Sequence, residues 1–252
     1  MIEVRGLSFR YGTDPPAIDD LSFEVAAGEV YCMLGAAGAG KTTLTDLLAG
    51  GLKPSGGRAS IAGADVRLAP LRARELTTFI RAHAPLYGSM TARQNVLFLV
   101  RMGRADRRPT RPDVENALRS VGVPERHFDR RVRDLPQQLR VPLWLAVATL
   151  RDTSAIVLDD PLASIDAQSS EDVCDCLDMF RARGKAVLLT TGDLALASRI
   201  ADRIGILHHG RRIAERLRSE LLDQSVTEFL SEYEANPAGS LASEPRHGPT
   251  EH

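Results

Sequence analysis

Val30-Tyr-Cys-Met-Leu34 followed by Gly35-Ala36-Ala37-Gly38-Ala39-Gly40-Lys41-Thr42-Thr43 is the stretch that decides the fold. Val30 to Leu34 is apolar throughout, which predicts a strand covered on both faces, as in a parallel sheet. The loop after it fits GxxxxGK[ST] and runs into a helical segment from about Thr42 to Leu48, the context the motif requires. Its glycines let the backbone turn with N–H groups pointing inward, forming a concave anion site. The helix that follows adds its positive end. Lys41 would put a compact charge on the β- and γ-phosphates of a nucleotide, and Thr42 would offer its hydroxyl to Mg²⁺.

Outward from this loop, a second strand, Ala155-Ile-Val-Leu158, ends in Asp159 and Asp160. Asp159 stands where a carboxylate organising Mg²⁺ beside a phosphate loop belongs. The first thirty residues read as strands and turns, with Leu21 to Val25 alternating apolar and polar as a half-buried strand does. Residues from about 70 to 150 are predicted mostly helical and are rich in arginine, which reads as a solvated helical surface rather than a basic patch. From about 154 the α/β rhythm returns: a helix over Ser169 to Arg183, strands at Ala186 to Leu189 and Ile204 to Leu207, and a helix over Leu194 to Ile200. A short charged helix is expected from about Glu215 to Tyr233, then a polar tail over 236–252 whose composition cannot bury a core.

The composition sets limits on function. The 252 residues carry 32 Lys+Arg against 33 Asp+Glu, a formal net charge of -1, which argues against attachment to nucleic acid by bulk electrostatics. The longest apolar run, Val141 to Leu150, is interrupted by Pro142 and is far short of the ~20 residues that span a bilayer. The N-terminus has no apolar segment of a secretory signal. Cys32, Cys174 and Cys176 form no disulfide framework, so a reducing, cytoplasmic setting is expected.

Taken together the motifs resemble the ATP-binding subunits of ABC transporters, from about residue 2 to 215. Leu7-Ser-Phe-Arg-Tyr11-Gly is similar to the opening strand whose aromatic stacks on adenine, which makes Tyr11 a nucleotide-binding candidate beside Gly35 to Thr43. His83 to Tyr87 with Met90, Thr91 and Asn95 is similar to a segment of ABC-2-type subunits. Leu158-Asp-Asp-Pro161 and Ala163-Ser-Ile-Asp166 resemble the Walker B stretch and D-loop. The resemblance implies a P-loop NTPase core with a parallel sheet, an N-terminal antiparallel β subdomain and an inserted α-helical subdomain at about 82–150, within one domain spanning 1–235. It implies ATP and Mg²⁺ as cofactors, Thr42 and Asp159 as metal residues, and Asp160 in the catalytic position. It also implies a transmembrane permease partner, a second nucleotide-binding subunit in a homo- or heterodimer, and a place on the inner face of the cell membrane.

The departures from the family pattern fall on the hydrolytic parts. Leu135-Pro136-Gln137-Gln138-Leu139 aligns with a signature resembling Leu-Ser-Gly-Gly-Gln. Pro136 has neither hydroxyl nor N–H, and Pro142 is expected to kink the helix that follows. Ala82 stands at the Q-loop position; a one-residue shift would put His83 there, although His83 alone reads as a surface histidine. Asp160 replaces a glutamate, and Gly192 replaces the switch histidine. Two functions follow from the resemblance: slow ATP hydrolysis that drives transport, or a pseudo-ATPase that binds ATP and braces a transporter dimer. A soluble ABC-type protein acting on nucleic acid ranks below both.

Overall fold

The computed structural model describes residues 1–81, 85–103, 108–161 and 167–221. In chain order the elements are β1 (Ile2–Phe9), β2 (Ile18–Val25), β3 (Val30–Leu34), α1 (Lys41–Leu48), β4 (Gly56–Ile61), β5 (Ala64–Asp65), α2 (Pro70–Glu75) and β6 (Thr77–Arg81). Helices α3 (Ala92–Met102), α4 (Arg111–Ser120) and α5 (Arg140–Leu150) follow. The chain then continues through β7 (Ala155–Asp159), α6 (Ala167–Ala182), β8 (Ala186–Thr191), α7 (Leu194–Ile200), β9 (Arg203–His208), β10 (Arg211–Leu217) and α8 (Arg218–Leu221).

Two sheets form. A four-stranded antiparallel sheet runs β2-β1-β4-β5, and a six-stranded sheet runs β10-β9-β3-β8-β7-β6. Within the larger sheet β3 pairs in parallel with β8 and β9, and β7 pairs in parallel with β6 and β8. The all-apolar run of β3 has the predicted cause. Val30, Cys32 and Leu34 point into a core shared with α3 to α7, whereas Tyr31 and Met33 point into a second core shared with α1 and the antiparallel sheet. All five residues are buried, so only residues without unpaired polar groups suit the strand. A strand order with β8 between β3 and β7 brings the ends of all three to one edge, where the phosphate loop lies.

Three expectations are corrected. The block from 70 to 150 is not helical throughout: Thr77–Arg81 forms β6 and pairs with β7 from Thr77↔Ala155 to Arg81↔Asp159. A strand of five residues with both faces largely covered shows no alternation, so periodicity cannot find it. Residues 215–217 belong to β10 rather than a helix, and helix begins at Arg218. This edge strand carries charge along its length (Arg-Arg-Ile-Ala-Glu-Arg-Leu), as edge strands do to resist further pairing. Pro142 lies in the first turn of α5, where its missing N–H interrupts no bond of that helix, so no kink is required. Within β1 the register shifts between Val4 and Leu7, with Gly6 at φ 57.

Helices α3, α4 and α5 pack on one another and share a core with one face of the large sheet. Leu143 and Val147 of α5 are buried, and burial extends nearly all round this helix. Arginines on this block pair with carboxylates: Arg93 with Asp129 at 2.6 Å and Glu115 at 3.1 Å, Arg111 with Glu115 at 2.8 Å, Arg119 with Glu125 at 2.6 Å. Arg111 and Arg119 lie open to solvent, as the sequence led us to expect, whereas Arg93 is largely covered; the ion pairs are added by the structure. Among the described residues no helix is long and apolar enough to cross a membrane.

Candidate nucleotide-binding site

The loop from Gly35 to Gly40 joins β3 to α1 as the motif requires, and three glycines serve three different needs. Gly35 bonds through its N–H to Thr191 O at 3.1 Å, and a Cβ there would meet Leu207 O at 2.7 Å. Gly40 has φ 110, and a Cβ there would meet Ala17 O at 2.5 Å. Both are demanded by packing, and Gly40 by its backbone conformation as well. Gly38 has φ 81 and open space around its Cα, with no atom within 4 Å of an added Cβ, so its surroundings leave room for a ligand. The loop is braced from below by the β9–β10 turn, where Gly210 N–H donates to Ala39 O at 2.9 Å.

The end of α1 facing this loop fits a phosphate group. Gly40 caps the helix with no side-chain bond, and no acidic residue occupies the first turn. Its leading N–H groups therefore lack an acceptor from a capping side chain, and the helix dipole favours an anion there. Lys41 arches back over the loop, with Nζ 2.6 Å from Gly35 O and 2.9 Å from Ala36 O. Ala36, Ala37, Gly38 and Thr42 are exposed, whereas Ala39 and Thr43 are buried. Tyr11 Oη lies 3.3 Å from Thr43 Oγ1, and its ring meets Phe9 edge-to-face at 4.8 Å. Tyr11 is 47% exposed, so an aromatic residue stands open beside the first turn of α1.

Asp159 closes β7 and is buried, accepting a 2.8 Å hydrogen bond from Thr190 Oγ1. Helix α1 packs against β7, so Thr42 and Asp159 belong to neighbouring elements. Asp160 comes next at φ 46. Its N–H donates to Thr190 O at 2.9 Å, and its Oδ1 accepts from Thr191 Oγ1 at 3.3 Å.

The substituted positions also find their places. Pro136 precedes a 3-10 turn at Gln137–Leu139 rather than opening a helical turn itself. Leu135 and Leu139 are buried while Pro136 and Gln137 are exposed, so the segment retains its packing while its outward face carries no glycine or hydroxyl. Gly192 lies against the phosphate loop, for a Cβ there would stand 3.4 Å from Gly35 O. His208 and His209 end β9 and enter the following turn, stacked edge-to-face at 4.2 Å. Ala82, His83 and the stretch Ala163 to Asp166 lie outside the described residues, as does the tail over 236–252.

Sequence reasoning missed Thr191 and Asp193. Asp193 N-caps α7 by accepting from Leu196 N–H at 3.1 Å, and its own N–H donates to Thr191 Oγ1 at 3.0 Å. The available signal was a threonine ending a buried strand next to the strand that ends in Asp-Asp. It also missed Arg81, at the end of β6, which forms an ion pair with Asp46 of α1.

A glycine loop between a buried parallel strand and an uncapped helix, with an aspartate-terminated strand two places along the sheet, defines a P-loop nucleotide-binding domain. Comparison with known proteins narrows the class. The ABC transporter family model matches residues 18–163. The chain is 32% identical over 237 residues to the Nod factor export ATP-binding protein I of Rhizobium meliloti, covering 94% of this chain and 70% of that protein. Among solved structures it is similar to an ATP-binding subunit of an ABC transporter, with 25% identity, a TM-score of 0.79, and coverage of 92% of this chain and 98% of the other. The dimeric ATP-binding cassette MJ0796, solved with ADP and Pi, shares the fold at 19% identity and a TM-score of 0.78, covering 86% of this chain and 99% of that one. The chain belongs to the ABC transporter family and is an ATP-binding subunit of it.

Proposed function

We propose that this chain binds Mg²⁺-ATP at Gly35 to Thr43 with Tyr11 against the adenine, hydrolyses it slowly, and couples the cycle to a membrane permease. The single observation that carries the reading is the uncapped N-terminus of α1 under an exposed glycine loop with Lys41 folded over it. Thr42 and Asp159 would hold Mg²⁺, which neutralises charge developing on the phosphates. Asp160 takes the place of the general base. Two nucleotide-binding subunits, alike or different, would close head to tail, and the dimeric state of the MJ0796 cassette supports this.

The domain would span 1–235, with a helical subdomain at about 82–150. The permease would seat against the groove between β6 and helices α3 and α5. This groove encloses about 610 Å³ and is lined by Phe79, Leu86, Tyr87, Leu99, Met102 and Trp144. Tyr87 and Met102 are exposed there, and among the described residues Trp144 Nε1 and Arg151 Nε are buried without a hydrogen-bond partner. Such groups call for acceptors from an incoming segment. The subunit would then lie peripherally on the inner face of the membrane, and the export role named for the Rhizobium meliloti relative supports outward transport.

A second reading, a pseudo-ATPase that binds ATP and braces the dimer, is favoured by Pro136 and Gly192, which give the signature and switch positions no group to reach a γ-phosphate. Steady-state phosphate release by the purified chain, with and without its permease, separates the two. Turnover abolished by Lys41→Ala establishes hydrolysis. Tight Mg²⁺-ATP binding with no turnover in any assembly establishes the second reading. Nucleic acid is not an expected partner.

A further inference from the structure

We propose that Thr191 is the positioning residue for the Asp160 carboxylate, a role open to it because Gly192, the next residue, has no side chain to share the task. The proposal rests on Asp160 occupying the general-base position.

Three observations carry it. The first is that Asp160 leaves the β7 ladder at φ 46, a left-handed conformation that aspartate tolerates but that needs surrounding support. Its backbone is held by Thr190 O, and among the described residues its carboxylate has one hydrogen-bond donor, Thr191 Oγ1 at 3.3 Å. The second is the direction of the bond. Thr191 Oγ1 already accepts from Asp193 N–H at 3.0 Å. A carboxylate accepts only, so the hydroxyl proton is directed at Asp160. The third is rigidity. Thr191 is 1% exposed and is β-branched, with little rotamer freedom to lose. Asp193 is itself fixed as the N-cap of α7, and Thr191 O binds the N–H of Gly35 at the start of the phosphate loop. One residue thus touches both the loop and the carboxylate, so the distance between them is set by a single strand end.

The test uses the full chain with ¹³C-labelled aspartate carboxyl groups, the Asp160 resonance being assigned by its loss in Asp160→Asn. Thr191→Val removes the hydroxyl at nearly constant volume, and Thr191→Ser keeps it. The expected result is a shifted Asp160 resonance in the valine variant with kcat lowered roughly tenfold and the KM for ATP unchanged, both restored in the serine variant. An Asp160 resonance unmoved by valine overturns the proposal, as does a serine variant as impaired as the valine one. The resonance reports the contact whether or not the chain turns over. Wild-type hydrolysis in Asp160→Asn would instead refute the general-base reading and leave the resonance to decide the contact.

Discussion

Thr190 and Asp159 face each other across β8 and β7, joined by a 2.8 Å hydrogen bond from the threonine hydroxyl to Oδ1 of a carboxylate that is buried with it. A bond to a charged acceptor contributes about 1.5–3 kcal/mol, and losing it strands a carboxylate out of water. Thr190→Val is therefore expected to lower unfolding stability by about 1–3 kcal/mol. If Asp159 organises Mg²⁺, the same change weakens Mg²⁺-ATP binding roughly tenfold more than binding of metal-free ATP. Urea unfolding and calorimetric titration with and without Mg²⁺ measure the two effects. Equal losses of affinity in both titrations would remove Asp159 from the metal site.

The glycines of the loop separate packing from ligand binding. Gly40→Ala forces a Cβ to 2.5 Å from Ala17 O at φ 110, and a destabilisation of about 3 kcal/mol or more is expected, with poor yield of folded chain. Gly38→Ala meets no atom and carries only the left-handed backbone cost of about 1–2 kcal/mol. Its product should fold, yet its methyl stands in the open space left for phosphate, so ATP affinity should fall by about tenfold or more. Circular dichroism melts and fluorescent-ATP titration of the pair give the answer.

How much of this was legible before the fold was known follows from what the chain writes locally. The strand–loop–helix unit was legible because an apolar run, a glycine loop and a helix lie in sequence, each with its own signal. The two-sided burial of β3 follows directly from Val30 to Leu34. β6 and β10 were not legible. The first, Thr-Thr-Phe-Ile-Arg, shows neither an apolar run nor alternation, and the second is a charged edge strand whose Glu215 is matched by Tyr31 and Arg203 from elsewhere in the chain. The Thr191–Asp160 contact joins residues 31 apart, and no local pattern encodes which strand end will lie beside which. The substituted positions of the signature could be read as chemistry, but that Pro136 precedes a 3-10 turn depends on how α5 docks.

The three cysteines give a pH dependence with a defined sign. Burial pushes the thiols of Cys32, Cys174 and Cys176 upward from an ordinary value of 9.0, Cys176 to about 12. Above pH 9 the unfolded chain releases thiol protons that the folded chain keeps, so stability is fully present below that point and is lost as pH rises towards the folded values. Each thiol contributes at most about 1.4 kcal/mol of loss per pH unit. Denaturant midpoints should fall between pH 8 and pH 10, and the fall should be smaller in Cys176→Ala. An equal pH slope in that variant would show that its thiol is ionised alike in both states.

Asp160→Glu tests whether reach limits hydrolysis. The longer side chain restores the length found in the family, and if a carboxylate held about 1 Å short were the only defect, a rate gain on the order of 100-fold would follow. The structure argues otherwise. Asp160 sits at φ 46, a region where aspartate is enriched and glutamate is not. Lengthening the chain also carries the carboxylate away from Thr191 Oγ1, its hydrogen-bond donor at 3.3 Å. Pro136 and Gly192 remain, and neither gains a group able to meet a γ-phosphate. Phosphate release by Asp160→Glu is therefore expected to stay within about twofold of the parent chain. A rise of about tenfold or more would make carboxylate reach the dominant defect, and would restrict the signature and switch substitutions to minor roles in the rate.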